Sequence, residues 1–346
     1  MDTVNTVTGT IPVSALGVTM MHEHFLWDQS CWLESLPADP KRDAILHEKI
    51  SMENRAVIAT YYPHGNLDNI INKDINLTIE EAAHLKKYGG STVLECSNIG
   101  LGRDSEALIK IAEATGLHVI MGSGFYVAKS HPDYVQGWSD HQVAEAIERE
   151  FEKGVDARGT KPGFIGEIGI SDIENPQEQK VLRGAAAAQK ELKVPLLIHP
   201  PIFETRGQRI LDIVESEGGN LSQTVLCHCD PTIGKEGYHE SLAERGAVLS
   251  FDQFGIEFLG VERIFLPRDI ERIRAIARLI KKRFGKQIVL SQDTCFKTSL
   301  LKYGGFGYAH ILRDLLGFMR EEGISQEEID DMLAGNPARV FSNQND

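Results

Sequence analysis

The chain has 346 residues, 42% of them hydrophobic and 25% charged, an ordinary globular composition with room for a sizeable core. A formal charge of −14, from 36 Lys+Arg against 50 Asp+Glu, argues against nucleic acid and anionic membrane surfaces as partners. No apolar run approaches the roughly 20 residues of a membrane span, the opening "MDTVNTVTGTIP" lacks the basic and apolar regions of a signal peptide, and five scattered cysteines make a poor disulfide framework, so the expectation is a cytoplasmic protein.

Eight short apolar runs follow one another along the chain. They are "VTMMHEH" (18–24), "STVLECS" (91–97), "HVIMGSGFY" (118–126), "GFIGEIG" (163–169), "PLLIHP" (195–200), "TVLCHCD" (224–230), "AVLSFDQF" (247–254) and "QIVLSQDT" (287–294). Each is short and often introduced by Gly or Pro, as buried parallel strands are. Helical patterning fills the intervals. "DSEALIKIAEATG" (104–116) has Asp104 as N-cap and Gly116 as stop, and "NPQEQKVLRGAAAAQKEL" (175–192) has Asn175 as cap and Pro176 in the first helical position. Strands alternating with helices predict an α/β fold, a (β/α)8 TIM barrel. A doubly wound sheet is the runner-up, but no G-x-G-x-x-G follows a strand. Residues 25–77 mix helix-like and loop-like text and are expected to be an insertion after strand 1, on the active-site side. The tail after 308 reads as helices that close the barrel, and 1–346 as a single domain.

Six residues at the strand ends stand out: His22 and His24, Glu167, His199, His228 and Asp293. In a barrel these ends converge on one face. The i, i+2 spacing points His22 and His24 the same way and turns Glu23 away. Glu167 is the only charged residue of "GFIGEIG", and a buried carboxylate needs compensation. Four imidazoles and two carboxylates suit Zn, Mn, Fe or Co, and their number suits two ions sharing a bridge. Any one of the six alone reads better as a structural residue; the set does not. His47, His84, His118, His141, His239 and His310 take the structural reading, with His64 and His131 in loops able to reach the site. In "CHC", Cys227 and Cys229 alternate with His228, so they are expected to face the helices, while Asp230 shares the face of His228. Glu95 is either a support for a ligand or the partner of Arg103.

The ordered set "MHEH", "GEIG", "IHP", "HCD" and "LSQD" resembles the phosphotriesterase family of the amidohydrolase superfamily. The opening "TVTGTIPVSALGVTMMHEHF", the "GFY" of strand 3 and the final "NPARVF" extend the resemblance nearly end to end. It implies two divalent metal ions, zinc first among them. His22, His24 and Asp293 would hold the more buried ion, His199 and His228 the more exposed one, with residue 167 and a hydroxide between. Most of that family bridges with a carboxylated lysine. Glu167, with "SFDQFG" and "GGFGYAHIL", resembles instead the glutamate-bridged branch, the phosphotriesterase homology or phosphotriesterase-related proteins. The resemblance also implies Tyr126 near the metals and a homodimer. Gln253, after Asp252, departs from relatives with a proton-relaying residue there.

A binuclear centre lowers the pKa of bound water toward neutrality, with Asp293 placed as general base. The first reading is a hydrolase in which a metal-bridging hydroxide attacks an ester or lactone carbonyl, with phosphoester side activity. The second is an amidase acting on an N-acyl small molecule, and the third a non-enzymatic small-molecule-binding barrel. Arg206, Lys297 and Lys302 are the cations in reach of an anionic substrate group, though each alone reads better as a solvated or helix-end charge.

Overall fold

The computed structural model describes residues 2–35, 38–257 and 266–342. Eight strands, β1 (Thr19–Glu23), β2 (Thr92–Glu95), β3 (His118–Ser123), β4 (Phe164–Gly169), β5 (Leu196–His199), β6 (Thr224–Leu226), β7 (Val248–Phe251) and β8 (Ile288–Leu290), lie side by side in sequence order. Each pair of neighbours is parallel. The sheet curls until its ends meet, where the Asp293 N–H donates to the His22 carbonyl at 3.2 Å. This is the (β/α)8 barrel that the alternation of strands and helices predicts.

Outside it run α1 (Ile75–Lys87), α2 (Ser105–Thr115), α3 (Asp140–Lys153), α4 (Pro176–Leu192), α5 (Gly207–Ser216), α6 (Tyr238–Glu244) and α7 (Asp269–Lys281). Their ends follow local chemistry. Asp104 accepts the Ala107 N–H at 3.0 Å, and Gly116 closes α2 in the left-handed region that favours glycine. Asn175 accepts the Gln177 N–H at 2.9 Å ahead of Pro176.

Strand alternation sorts the core into two layers. Met20, Val93, Val119, Ile165, Ile198, Leu226 and Leu249 face the helices. Met21, Leu94, Ile120, Phe164, Leu197, Val225, Val248 and Val289 fill the barrel interior. Burying each such side chain fully contributes on the order of 1.5–3 kcal/mol. The interior column also takes Val4, from a hairpin of Thr3–Thr6 with Gly9–Pro12, and Val340 and Phe341 of the last helix, α10 (Asn336–Phe341). Between them and β8 come α8 (Leu316–Glu321) and α9 (Gln326–Asp330).

Among its described residues, the segment between β1 and α1 carries three short α-helices, Pro40–Ile45, Arg55–Tyr61 and Leu67–Ile70, a 3-10 helix at Ser30–Ser35, and a strand pair of Trp27–Asp28 with Ile71–Asn72. Arg55 pins it to the chain beyond β8 by donating to the carbonyls of Tyr303, Thr298 (3.1 Å) and Gly304 (2.8 Å).

Candidate metal centre and its cavity

Two strands break alternation just where a candidate ligand begins. β1 and β2 pair Met20 with Val93 and Glu23 with Glu95, so β1 holds one residue more between these pairs. β4 and β5 pair Ile165 with Leu196 and Ile168 with Ile198, with the same excess on β4. A one-residue bulge of this kind re-aims a side chain. It lets His22 face inward directly after the interior residue Met21, and Glu167 face inward between the outward Ile165 and Ile168. His199 needs no bulge, two residues after the interior Leu197. His228 and Asp293 lie past the ends of β6 and β8, at φ of 54° and 48°, a left-handed conformation that Asp and His tolerate better than most residues.

The turn at His228 corrects one expectation. Val225 and Cys227 both belong to the barrel interior, and Cys227 Sγ lies 3.3 Å from His22 Nδ1. Cys227 therefore does not face the helices. The strand ends at Leu226, and the positive φ of His228 brings its ring to the mouth although alternation would send it outward. Cys229 faces the outer layer as expected.

All six residues meet. Glu167 Oε1 lies 2.7 Å from His199 Nδ1 and 3.1 Å from His228 Nε2. Glu167 Oε2 lies 3.6 Å from His22 Nε2 and 3.9 Å from His24 Nε2. Asp293 Oδ1 is 3.3 Å from His24 Nε2 and 3.7 Å from His22 Nε2. Donor atoms of His22, His24 and Asp293 lie within 4.8 Å of one another, as do those of His22, Glu167 and His228.

The electrostatics ask for positive charge. Burial raises Glu167, but His22 and His199 hold it well below the usual carboxylate range. Burial lowers His24, yet the neighbouring Asp293 outweighs this and lifts it to about 9. Burial lowers His22, against the pull of Glu167 and Asp252. His22 Nε2 is buried and makes no hydrogen bond, while facing two carboxylate oxygens beyond hydrogen-bonding reach. An unpartnered imidazole nitrogen among carboxylates fits a divalent cation, as does the mixed N/O donor set.

Other residues hold these donors in place. Asp252 accepts the His228 N–H at 3.0 Å and sits 2.8 Å from its Nδ1, the carboxylate partner a ligating histidine commonly has. The sequence suggested Asp230 for that part. Asp230 instead accepts the Asp252 N–H at 3.1 Å and pairs with the fully buried Arg272, whose Nε is 2.8 Å away. Ser97 Oγ lies 2.9 Å from His24 Nδ1. Glu23 points away from the cavity, and its carboxylate accepts from Ser291 Oγ (2.7 Å), the Gln292 N–H (2.8 Å), Gln292 Nε2 (2.7 Å) and the Thr294 N–H (2.9 Å). It thus locks the loop that carries Asp293 onto β1. Arg103 pairs with Glu150, at 2.7 Å, leaving Glu95 to accept the Phe25 N–H at 3.1 Å. Burial pushes Glu95 to about 7.

Above the cluster opens a cavity of about 560 Å³, in the range of small-molecule sites. Tyr126 lines it, with its ring centroid 5.1 Å from that of His199. His64 lines it too, lowered to about 4 by burial, whereas His131 sits behind Tyr126, its Nε2 2.8 Å from the Tyr126 carbonyl. Arg206 and Lys297 are not among the lining residues. Arg206 pairs with Glu204 at 2.7 Å and Lys297 with Asp68 at 2.9 Å, and Lys302 is exposed. Among the described lining residues, the Lys or Arg is Arg42, from the insertion. Sequence reasoning passed it over because nothing in "DPKRDAIL" says which way it folds.

The sequence profile of the phosphotriesterase family matches residues 2–341. The chain belongs to the phosphotriesterase family. It is a metal-dependent hydrolase of the phosphotriesterase type, and a phosphotriesterase-related protein is among its relatives. It is similar to the N-acetyltaurine hydrolase of Homo sapiens, 35% identical over 339 residues and 96% of each chain. It is similar to the phosphotriesterase-related protein of Nematostella vectensis, 35% identical over 342 residues and 96% of each chain. Among solved structures it resembles a resiniferatoxin-binding protein from Rhodobacter sphaeroides, with a TM-score of 0.95 and 37% identity, covering 99% of this chain and 95% of that one. Among the described residues, no helix of this phosphotriesterase-family chain is long and apolar enough to cross a membrane.

Proposed function

We propose that the chain hydrolyses the amide bond of a small N-acyl compound, using two divalent cations, zinc first among them. His22, His24 and Asp293 would hold one, His199 and His228 the other, and Glu167 would lie between. Bound there, the cations would bring the pKa of water toward neutrality and polarise the scissile carbonyl. The remaining steps fall to the protein. Asp293 accepts a proton from the attacking water and returns it to the leaving nitrogen, so acyl and amine part as a carboxylic acid and an amine, and the acid's proton then passes to the amine to leave carboxylate and ammonium. Asp252 fixes the ring of His228, and Tyr126 walls the acyl side. Five unpaired cysteines, four of them buried, support a reducing, cytoplasmic setting. A homodimer rests on the family alone.

The observation that favours an amide is Gln253. It lines the cavity with His228 and Asp293 and is 3% exposed. Its Oε1 is buried and accepts no hydrogen bond, a cost that a ligand's donor would offset once the amide turns toward the cavity. An amide substrate has an N–H to give; an ester oxygen has none. The names of relatives about one-third identical along their whole length point the same way. An ester or lactone is the second reading, favoured by the apolar wall of Trp32, Leu101, Ile202, Phe203, Ile256 and Phe296.

Matched pairs of N-acyl amides and the corresponding esters test this with metal-loaded protein. Amide cleavage is expected, and Q253L should lower kcat/KM for amides about tenfold more than for esters, the worth of roughly one hydrogen bond. Cleavage of esters and lactones alone would overturn the amide reading. No turnover on either series, with retained ligand binding, would leave a binding protein.

A further inference from the structure

Three of the candidate ligand histidines are backed in different ways. His228 Nδ1 lies 2.8 Å from the Asp252 carboxylate, and His24 Nδ1 lies 2.9 Å from the Ser97 hydroxyl. His22 has a sulfur in that place: Cys227 Sγ, 3.3 Å from Nδ1. Among the described residues it is the acceptor within reach. Asp252 Oδ2, at 3.7 Å, is too far for a hydrogen bond and already accepts the His228 N–H at 3.1 Å.

The backbone fixes this sulfur. Cys227 is one residue past the end of β6, yet its N–H still donates to the Ile198 carbonyl at 3.0 Å, so it continues the ladder with β5. Its side chain belongs to the barrel interior, and neither Cys227 nor His22 has any exposed surface. Bulk water therefore does not reach Nδ1 in place of the sulfur.

A neutral imidazole carries one proton on its two nitrogens. His22 Nε2 makes no hydrogen bond and faces carboxylate oxygens of Glu167 at 3.6 Å and Asp293 at 3.7 Å. For Nε2 to offer its lone pair to a cation, the proton must sit on Nδ1. A buried N–H needs an acceptor, and a ligating histidine is oriented by the group that accepts it.

We propose that Cys227 is a positioning residue for metal binding: its sulfur accepts the His22 Nδ1–H and fixes the ring so that the Nε2 lone pair faces Glu167 and Asp293. It thereby supports the cation that His22, His24 and Asp293 would hold, and not the one assigned to His199 and His228. The role rests on the metal reading above and is independent of which bond is hydrolysed.

Zinc competition against a chromophoric chelator tests this on the full chain without turnover. Serine keeps an acceptor, valine keeps bulk without one, and alanine has neither. C227V and C227A should weaken one of the two zinc ions by about 10- to 100-fold, the usual cost of removing the partner of a ligating histidine, and leave the other within about threefold. C227S should lie between wild type and C227V. A packing role predicts the reverse order, with C227V close to wild type and C227S as weak as C227A, and that order overturns the proposal. Equal weakening of both ions, or unchanged affinities in C227V and C227A, overturns it as well. A second measurement needs no variant at position 227. In ¹⁵N-histidine spectra of the zinc-loaded wild type, with the His22 signals assigned by their loss in H22N, Nδ1 should carry the proton. A proton on Nε2 of that ring overturns the proposal. Wild type that takes up no zinc overturns the metal reading together with it, whereas zinc-loaded wild type with unaltered variants overturns the role of Cys227 alone.

Discussion

Replacing Arg272 with methionine probes how the metal-site histidines are held from behind. Arg272 of α7 is fully buried, with Nε 2.8 Å from Asp230 Oδ1, Nη1 2.7 Å from Asp269 Oδ1, and Nη2 donating to the Ile256 carbonyl at 2.6 Å. Methionine matches its unbranched stem and removes the charge. Breaking a buried pair this way costs about 3–5 kcal/mol. The loss should depend on pH, because Asp230 is under strain even in the wild type. Burial pushes it to about 6 despite Arg272. A carboxylate raised from its ordinary 3.8 contributes stability that is whole below that value and disappears as pH climbs through 6, a difference of about 3 kcal/mol. Without Arg272 the folded-state value rises further. Between pH 6 and pH 8 the folded variant then keeps a proton the wild type has released, so the stability gap should widen by about 1.4 kcal/mol per pH unit. Urea unfolding midpoints of wild type, R272M and D230N/R272M at pH 6 and pH 8, all in chelator, measure this. The double variant should flatten the pH dependence. A gap of the same size at both pH values would refute the argument that Asp230 carries the cost.

Three further outcomes are expected. Metal analysis of protein purified with added metal should find about two divalent ions per chain; near-zero occupancy would undermine the binuclear reading. H199A should lose metal and turnover together while the barrel stays folded, and unaltered turnover would remove His199 from the ligand set. D293N should reduce kcat by about 10²- to 10⁴-fold, the range of a general base, and a loss below threefold would place the base elsewhere.

The barrel was largely legible because its signals are local. Each strand is a short run that shows its own burial, and each helix carries its own caps, as Asp104 and Asn175 do. The strand ends were less so. The runs quoted through Asp230 and Thr294 stop in the structure at Leu226 and Leu290, because His228 and Asp293, which follow, leave the ladder at positive φ to turn inward. Periodicity continues past a strand end on paper, and that misdirected the reading of Cys227. The bulges in β1 and β4 are equally silent in one sequence: an extra residue has meaning only against the partner strand, about 70 residues away for β1 (Met20 with Val93) and 30 for β4.

The candidate ligands were visible and the residues that hold them were not, and reach explains the difference. A ligand must project from a strand end, so its place in the chain is constrained. A supporting carboxylate need only arrive from anywhere within 3 Å. Asp252 reaches His228 across 24 positions and Glu23 reaches Gln292 across 269. The same holds for substrate contacts. Arg206 and Lys297 sit where a barrel keeps its active-site loops, but each has an acidic partner that takes its charge. Arg42 lies in a segment with no strand to anchor a guess, and its stem passes over a glycine 23 residues later. A cation near a strand end is therefore weak grounds for an anion site.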